Sequence, residues 1–355
     1  MEIGIIGLPN VGKSSLFNAL TAAGVPSENF PFTTIEPNVG VVPLKDERLD
    51  FLANLFKIPK KVAAPIRFVD IAGLVPGASK GEGLGNKFLG HIREVDAICQ
   101  IVRCFEDKDV VNVLGELDPI KDVEVVSTEL LLADLEHTEK MIDKVQGAAR
   151  TGQKEAKQKR DILEKVHKNL KEGRPVREHQ LPLEQIHEYH FLTAKPVLYV
   201  GNVGESSAHL FEALVSWAKE KKAPVLDLNA KLEEEIMALP PEERGPYREA
   251  LETKDSGLDR LTQAGHQLLN LITFFTANPK EAHAWNIPLG SSVLKAAGKV
   301  HTDMEKGFIR AEVYPVEELR SAGSHSELRQ KGKIRMEGKD YNVRDGDVVY
   351  IHFKV

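Results

Sequence analysis

Gly7-Leu8-Pro9-Asn10-Val11-Gly12-Lys13-Ser14 is the stretch that decides the fold. It has the spacing of a phosphate-binding loop. The apolar run Ile3-Gly4-Ile5-Ile6 precedes it and reads as a strand, and Ser15-Leu16-Phe17-Asn18-Ala19-Leu20 follows as the start of a helix. Strand, glycine-bearing loop and helix in that order let backbone N–H groups curl around phosphates at the positive end of a helix. Lys13 then supplies a cation for the β- and γ-phosphates, and the Ser14 hydroxyl is placed to ligate Mg²⁺. The residues expected to touch the nucleotide here are Asn10, Val11, Gly12, Lys13, Ser14 and Ser15.

Outward from this loop, the first 120 residues alternate strand and helix patterns, as a nucleotide-binding α/β sheet requires. Strands are expected at Glu2–Ile6, Val39–Val42, Ile66–Asp70 and Ala97–Cys104, with Val197–Val200 and Val225–Leu228 completing the sheet later in the chain. Between them the texture changes. Leu131, Leu135, Thr138, Ile142 and Val145 are spaced 4, 3, 4, 3, and Leu163, Val166 and Leu170 continue that spacing. This predicts an antiparallel, coiled-coil-like helical arm inserted over residues 122–192, with its hairpin tip at Gly147–Lys154. Beyond residue 275 short strand-like runs recur at Glu281–Ile287, Gly307–Val313, Lys339–Val343 and Val348–Phe353. The expected organisation is a nucleotide-binding domain over 1–275, interrupted by the arm, and a small β domain over 276–355.

Three further segments carry chemistry. Phe30-Pro31-Phe32-Thr33-Thr34-Ile35 is a candidate first switch, where a threonine ligates Mg²⁺ only while the γ-phosphate is present. Spacing does not choose between Thr33 and Thr34. Phe68-Val69-Asp70-Ile71-Ala72-Gly73 is a candidate second switch: Asp70 ends a strand and can hold Mg²⁺ through water, and the Gly73 N–H can reach the γ-phosphate. Gly77, Gly81, Gly83 and Gly85 follow and predict a mobile stretch. Many GTPases place a water-orienting glutamine after that glycine. Here the residue is Leu74, which predicts slow intrinsic hydrolysis. Asn202-Val203-Gly204-Glu205 follows a strand where GTPases usually carry Asn-Lys-x-Asp to read guanine. Glu205 is one methylene too long for that pairing, and Val203 lacks the lysine stem over the base, so guanine selection is expected to be weak.

Composition narrows the class. In 355 residues, 42% hydrophobic and 28% charged content is that of a globular protein with room for two or three cores. Two cysteines, Cys99 and Cys104, in apolar surroundings exclude a disulfide framework. No apolar run reaches membrane-spanning length and no basic-then-apolar leader opens the chain, so a cytoplasmic protein is expected. Net charge is −6, but Lys140–Arg177 holds 12 Lys/Arg against 5 Asp/Glu, a local +7 on a body of −13. A basic arm on an acidic body predicts a polyanionic partner.

Taken together the chain resembles the YchF subfamily of Obg-related P-loop proteins, along essentially its whole length. The likeness rests on the phosphate loop, Asn29-Phe30-Pro31-Phe32, Asp70-Ile71-Ala72-Gly73-Leu74, Lys80-Gly81-Glu82-Gly83-Leu84-Gly85-Asn86 and Val102-Arg103-Cys104-Phe105-Glu106, with the Asn-x-x-Glu element at Asn202. The block Ala296–Ile309 resembles that family's TGS domain. The resemblance implies a GTPase-like sheet domain with a helical arm and a C-terminal β-grasp TGS-like domain. It further implies a slow Mg²⁺-dependent ATPase that prefers ATP over GTP. Metal ligands by family pattern are Ser14 and Thr34, with the Val203 backbone carbonyl on the adenine amino group. The implied partner is the ribosome and its large subunit, bound through arm and TGS domain. A nucleotide-gated binding module with incidental hydrolysis, or a GTPase of relaxed specificity, are the competing readings. One departure stands out: members carry a hydrolysis-assisting His where this chain has Asn112, and an amide cannot act as a general base near neutral pH. His301, Asp303 and Glu305 hint at a metal site, but their alternation fits one face of a strand or turn.

Overall fold

The computed structural model describes residues 1–24, 38–71, 84–179, 181–205, 207–251 and 256–354. Among the described residues twelve strands form two six-stranded sheets. In chain order they are β1 (Glu2–Ile6), β2 (Val39–Pro43), β3 (Lys60–Val62), β4 (Pro65–Asp70), β5 (Ala97–Cys104), β6 (Val197–Val203), β7 (Val225–Leu228), β8 (Leu271–Ala277), β9 (Glu281–Pro288), β10 (Phe308–Pro315), β11 (Arg335–Glu337) and β12 (Asp347–Phe353).

The first sheet runs β2-β4-β1-β5-β6-β7. β1, β5, β6 and β7 are paired parallel, with Ile5 opposite Cys99 and Val102 opposite Gly201. Every residue of β5 is buried, as befits a central parallel strand covered on both faces. Its two thiols lie in that core, and burial pushes both up to about 12, so neither is a reactive thiolate. The helix Lys13–Ala23 starts inside the phosphate loop and buries Leu16, Ala19 and Leu20, its i, i+3, i+4 stripe.

The arm forms as two helices, Pro119–Arg150 and Lys154–Lys171. Asp118 caps the first by accepting from Ile120 N and Lys121 N, and Pro119 sits where its missing N–H is harmless. Leu163, Val166 and Leu170 are fully buried against Leu131, Leu135, Ile142 and Val145. The tip is tighter than expected, because Gly147–Arg150 stay helical and only residues 151–153 turn, with Gly152 at φ +92°. At the arm's base Asp134 is wholly buried. It accepts from Leu192 N (2.9 Å), Thr193 N (2.8 Å) and Thr193 Oγ1 (2.7 Å), which satisfies the carboxylate that burial would otherwise disfavour.

The second sheet runs β11-β10-β12-β8-β9-β3. β8 and β9 form an antiparallel hairpin, β12 lies parallel to β8, and β10 pairs antiparallel with β12. With the helix Val293–Val300 on one face, this is a β-grasp arrangement. Lys339–Val343 does not form a strand. A turn at Gly338 directs Val293 N to the Tyr341 carbonyl and Val343 N to Ser291 O, leaving one isolated bridge from Ser292 to Asn342.

The chain forms two compact units. One comprises Met1–Ala23, Asn38–Gly40 and Phe68–Leu258; the other comprises Val41–Arg67 and the chain from Asp259 onward. The division expected at residue 275 therefore falls inside β8. Residues 41–67 lie with the β-grasp unit because the helix Glu47–Phe56 packs Leu49, Leu52 and Ala53 on Phe275, Ala282, Ala284 and Tyr314, and β3 pairs with β9. Among the described residues no helix is long and apolar enough to cross a membrane.

Candidate functional site

The cleft of interest, about 910 Å³, opens at the C-terminal ends of β1, β5 and β6, where a parallel sheet places its ligands. Its phosphate end is lined by Asn10, Gly12, Lys13, Ser14 and Ser15, and its far end by Asn202, Val203, Gly204 and Glu205. The two motifs singled out in the sequence thus share one cavity, although nearly 190 residues separate them.

The loop's shape is set by Asn10 at φ +64° and Gly12 at φ +93°. A methyl at Gly12 would collide with the Asn202 side-chain nitrogen. Asn202 explains the close approach. Its Nδ2 donates to Val11 O and its Oδ1 accepts from Ala230 N, both at 2.9 Å, and the residue is buried. Both ends of the amide are therefore engaged, tying β6 to the phosphate loop and to the start of the helix Ala230–Ala238.

Lys13 donates to Asp70 Oδ1 at 2.5 Å, with side chains 13% and 23% exposed. This brings the end of β4, and with it a hard carboxylate oxygen, to the phosphate loop. Thr33, Thr34, Gly73, Leu74, Gly77, Gly81 and Gly83 lie outside the described residues, while Gly85 falls in the helix Leu84–Glu94.

Asn112 takes another role than the one its position suggested. Its Nδ2 donates to Glu116 O at 2.6 Å and its Oδ1 accepts from Leu114 N at 3.0 Å, so both ends close the turn it sits in. The segment leading to that turn is held by Arg103, buried to 5%, which donates to the carbonyls of Phe105, Asp107 and Val110 and stacks over the Phe105 ring at 4.6 Å. Asn10 Nδ2 adds a bond to Val111 O. Phe105, Glu106, Asp107 and Val110 consequently form one wall of the cleft.

Sequence reasoning missed a third wall. Asn229, Lys231, Leu232 and Glu235 line the cleft from the helix Ala230–Ala238. The signal was present: an Asn directly after β7 caps that helix by accepting from Leu232 N. The His301 group is no metal centre. His301 Nδ1 accepts from Asp303 N as the cap of the short helix Thr302–Lys306, and a neutral imidazole with that nitrogen accepting presents only Nε2–H outward. Among the described residues no three His, Cys, Asp or Glu gather as metal ligands.

Behind the cleft wall Asp122 is 4% exposed, and its Oδ1 has no hydrogen-bond partner. Burial, then the Asp118 charge, push its carboxyl up to about 6, against the opposing pull of Arg103 and Lys121. The folded state thus holds this proton more tightly than the unfolded chain, whose carboxyl ionises near 3.8. The stability it contributes is full below that value and is lost as pH rises through about 6. Asp122→Asn, neutral throughout, is expected to be more stable than wild type above pH 6 by about 1–3 kcal/mol and to match it at acid pH. Thermal midpoints of the two proteins across pH 4–8 check this; a constant difference would refute it.

Comparison with known proteins adds the following. The family model MMR_HSR1, described as a 50S ribosome-binding GTPase, matches residues 2–144. YchF-GTPase_C, described as a protein of unknown function, matches residues 271–354. The protein named Ribosome-binding ATPase YchF from Haemophilus ducreyi is 47% identical over 360 residues, covering 100% of this chain and 99% of its own. Its namesake from Bacillus subtilis is 45% identical over 364 residues, covering both chains fully. The solved structure of the Schizosaccharomyces pombe YchF GTPase superimposes with a TM-score of 0.89 at 35% identity, covering 99% of this chain and 97% of the other.

Proposed function

The chain belongs to the YchF family, and on that footing we propose that it is a slow, Mg²⁺-dependent ATP hydrolase that binds the ribosome and acts there as a nucleotide-controlled switch in the cytoplasm. The observation that carries this reading is the single cleft joining the phosphate loop to Val203 and Glu205. The family's bacterial members are named ribosome-binding ATPases over their full length.

The division of labour follows from the geometry. Backbone N–H groups of Asn10–Ser15 cradle the phosphates, and Lys13 exchanges its bond to Asp70 for one to a phosphate oxygen. The donors beside it are oxygens, the Ser14 hydroxyl and the Asp70 carboxylate, and this chemistry fits magnesium held jointly with phosphates and water. Thr34 is the further ligand we assign. When bound, the ion neutralises charge on the transferred phosphoryl group. Gly73 N–H is assigned to the γ-phosphate. Leu74 cannot hydrogen-bond a water and the Asn112 amide is engaged in its own turn, which supports slow turnover.

At the base end Glu205 is an acceptor of the wrong reach for guanine, and Asn202 is committed to the phosphate loop. Adenine is then read by backbone, with the Val203 carbonyl accepting from its amino group. ATP is expected to bind at least as tightly as GTP, and Glu205→Asp with Val203→Lys to move preference toward GTP. Each restored or mismatched buried hydrogen bond is worth about 1–3 kcal/mol. Calorimetric titration of both nucleotides checks this, and wild-type binding of GTP tenfold tighter than ATP would overturn it. The same Asn112 turn favours a second reading, in which nucleotide gates docking and hydrolysis is incidental. Single-turnover hydrolysis with and without ribosomes separates the two: stimulation by ribosomes supports the enzyme.

A further inference from the structure

Arg103 and Asp122 stand behind the cleft, and neither lines it. Arg103, a buried cation near the end of β5, directs its fork to three carbonyls. Nε donates to Phe105 O (3.2 Å), Nη1 to Val110 O (3.0 Å) and Nη2 to Asp107 O (3.2 Å). The next carbonyl, that of Val111, accepts from Asn10 Nδ2 at 3.2 Å. One guanidinium therefore sets the wall, and the wall in turn holds Asn10, whose φ of +64° shapes the phosphate loop. Asp122 is buried within electrostatic reach of Arg103, and its Oδ1 has no hydrogen-bond partner among the described residues. Asp118 and Lys121 on its own helix, and the Cys104 thiol on β5, are the other titratable or charged groups that face it. The helix Ala208–Lys221 packs beside that helix and buries Leu210, Leu214 and Ala218, while Glu106, Asp107, Lys108 and Asp109 of the wall are exposed.

A guanidinium is planar, and its N–H groups are fixed in direction. It cannot turn toward a new acceptor without straining the bonds it already makes. While Asp122 is protonated, Arg103 serves the wall carbonyls. Once ionised, the carboxylate becomes the strongest acceptor in reach, because it carries the opposite charge in a site that water screens little. We propose, on the reading of the cleft as the nucleotide site, that Arg103 is a positioning residue that clamps the cleft wall to the phosphate loop, and that Asp122 sets this clamp. With Asp122 neutral the wall stays closed on the nucleotide; with Asp122 ionised Arg103 is drawn back and release is faster. Burial pushes the Asp122 carboxyl up to about 6, so the change falls in mild acid, and the nucleotide is held longer on the acid side.

Stopped-flow release of a fluorescent ATP analogue from the full chain tests this. Wild type and each variant are measured at every pH, so that titration of the analogue's own phosphates cancels in the ratio of rates. Wild type and Asp122→Asn should release it equally fast at about pH 5, and wild type should be about threefold faster or more above about pH 7. Arg103→Lys keeps the charge and loses the fork, so it should release faster than wild type at about pH 5 and show no such rise. Asn10→Gly keeps the positive φ and removes the tie to Val111, so in that background Asp122→Asn should change nothing. Thermal midpoints confirm that every variant is folded at the temperature used. A ratio of wild type to Asp122→Asn that stays constant with pH overturns the proposal alone, as does Arg103→Lys with the rate and pH profile of wild type, or a full response to Asp122→Asn in the Asn10→Gly background. Failure of wild type to bind the analogue at all would strike the reading of the cleft itself, and this proposal with it.

Discussion

Lys13→Ala is expected to lower ATP affinity by roughly 100-fold or more, the largest effect of any single change in the cleft. Two losses combine. The ammonium can make charge-assisted bonds to phosphate oxygens, each worth about 1.5–3 kcal/mol. Its removal also unmasks Asp70, whose carboxylate now faces the phosphates without the cation that sits 2.5 Å from it. Like charge in a partly buried site repels strongly, because water screens it little. The two contributions are separable. Asp70→Asn releases Lys13 from its partner, so ATP without magnesium should bind more tightly than to wild type, while the gain on adding magnesium shrinks. Titration of Lys13→Ala, Asp70→Asn and the double variant, with and without magnesium, measures both, and thermal midpoints confirm folding. Lys13→Ala binding ATP within threefold of wild type would remove the phosphate loop from the nucleotide site.

The parts of this molecule legible in the sequence are those in which local pattern and tertiary role coincide. β1 and β5 form over the residues their apolar runs mark, because a central parallel strand covered on both faces needs a largely apolar run. The arm's seam was legible because the same spacing that marks it in the sequence brings Leu163, Val166 and Leu170 into one cluster with Leu131, Leu135, Ile142 and Val145. What escaped is what depends on distant partners. β8 was hidden because Leu268–Phe275, apolar apart from Asn270 and Thr273, runs straight on from the helix Gly257–Leu268, and the break is a single Asn270 at φ +50°. β3 is three residues long with two exposed lysines, and it exists only because β9 offers an edge. Lys339–Val343 has strand-like residues, yet the preceding turn hands its backbone groups to residues 291–293. At the site, residue identities were readable but their hydrogen bonds were not. Asn202 reads as part of the base-reading element, and Asn112 stands where family members carry a His; each has both ends of its amide engaged by neighbours no spacing rule names.

The arm should decide whether ribosomes are bound. Changing Lys154, Lys157, Lys159 and Arg160 together to Glu reverses four charges beside the arm's turn, on the first turns of the helix Lys154–Lys171. The helix itself tolerates this. Lysine at a helix N-terminus opposes the macrodipole and glutamate complements it, and the two have similar intrinsic propensity. Lys159 pairs with Glu188 at 3.1 Å, and Arg160 with Asp161 at 2.9 Å, but the three lysines are exposed and Arg160 is about a third exposed, and such surface pairs add little stability. Folding and ATP affinity are therefore expected to be unchanged. Ribosome binding is not. Each Lys or Arg that neutralises an RNA phosphate releases a counterion and contributes about 0.7–0.9 to the slope of log affinity against log salt. Four reversed charges should lower that slope by about 3 and, through repulsion, reduce affinity at moderate ionic strength by roughly 1,000-fold. Wild type should remain bound without nucleotide and leave the ribosome as salt rises. Co-sedimentation of both proteins over a salt series measures the slope directly. If the reversed arm sediments with ribosomes as wild type does at every salt concentration, the basic arm is a solvated strut, and the ribosome contact lies in the β-grasp unit.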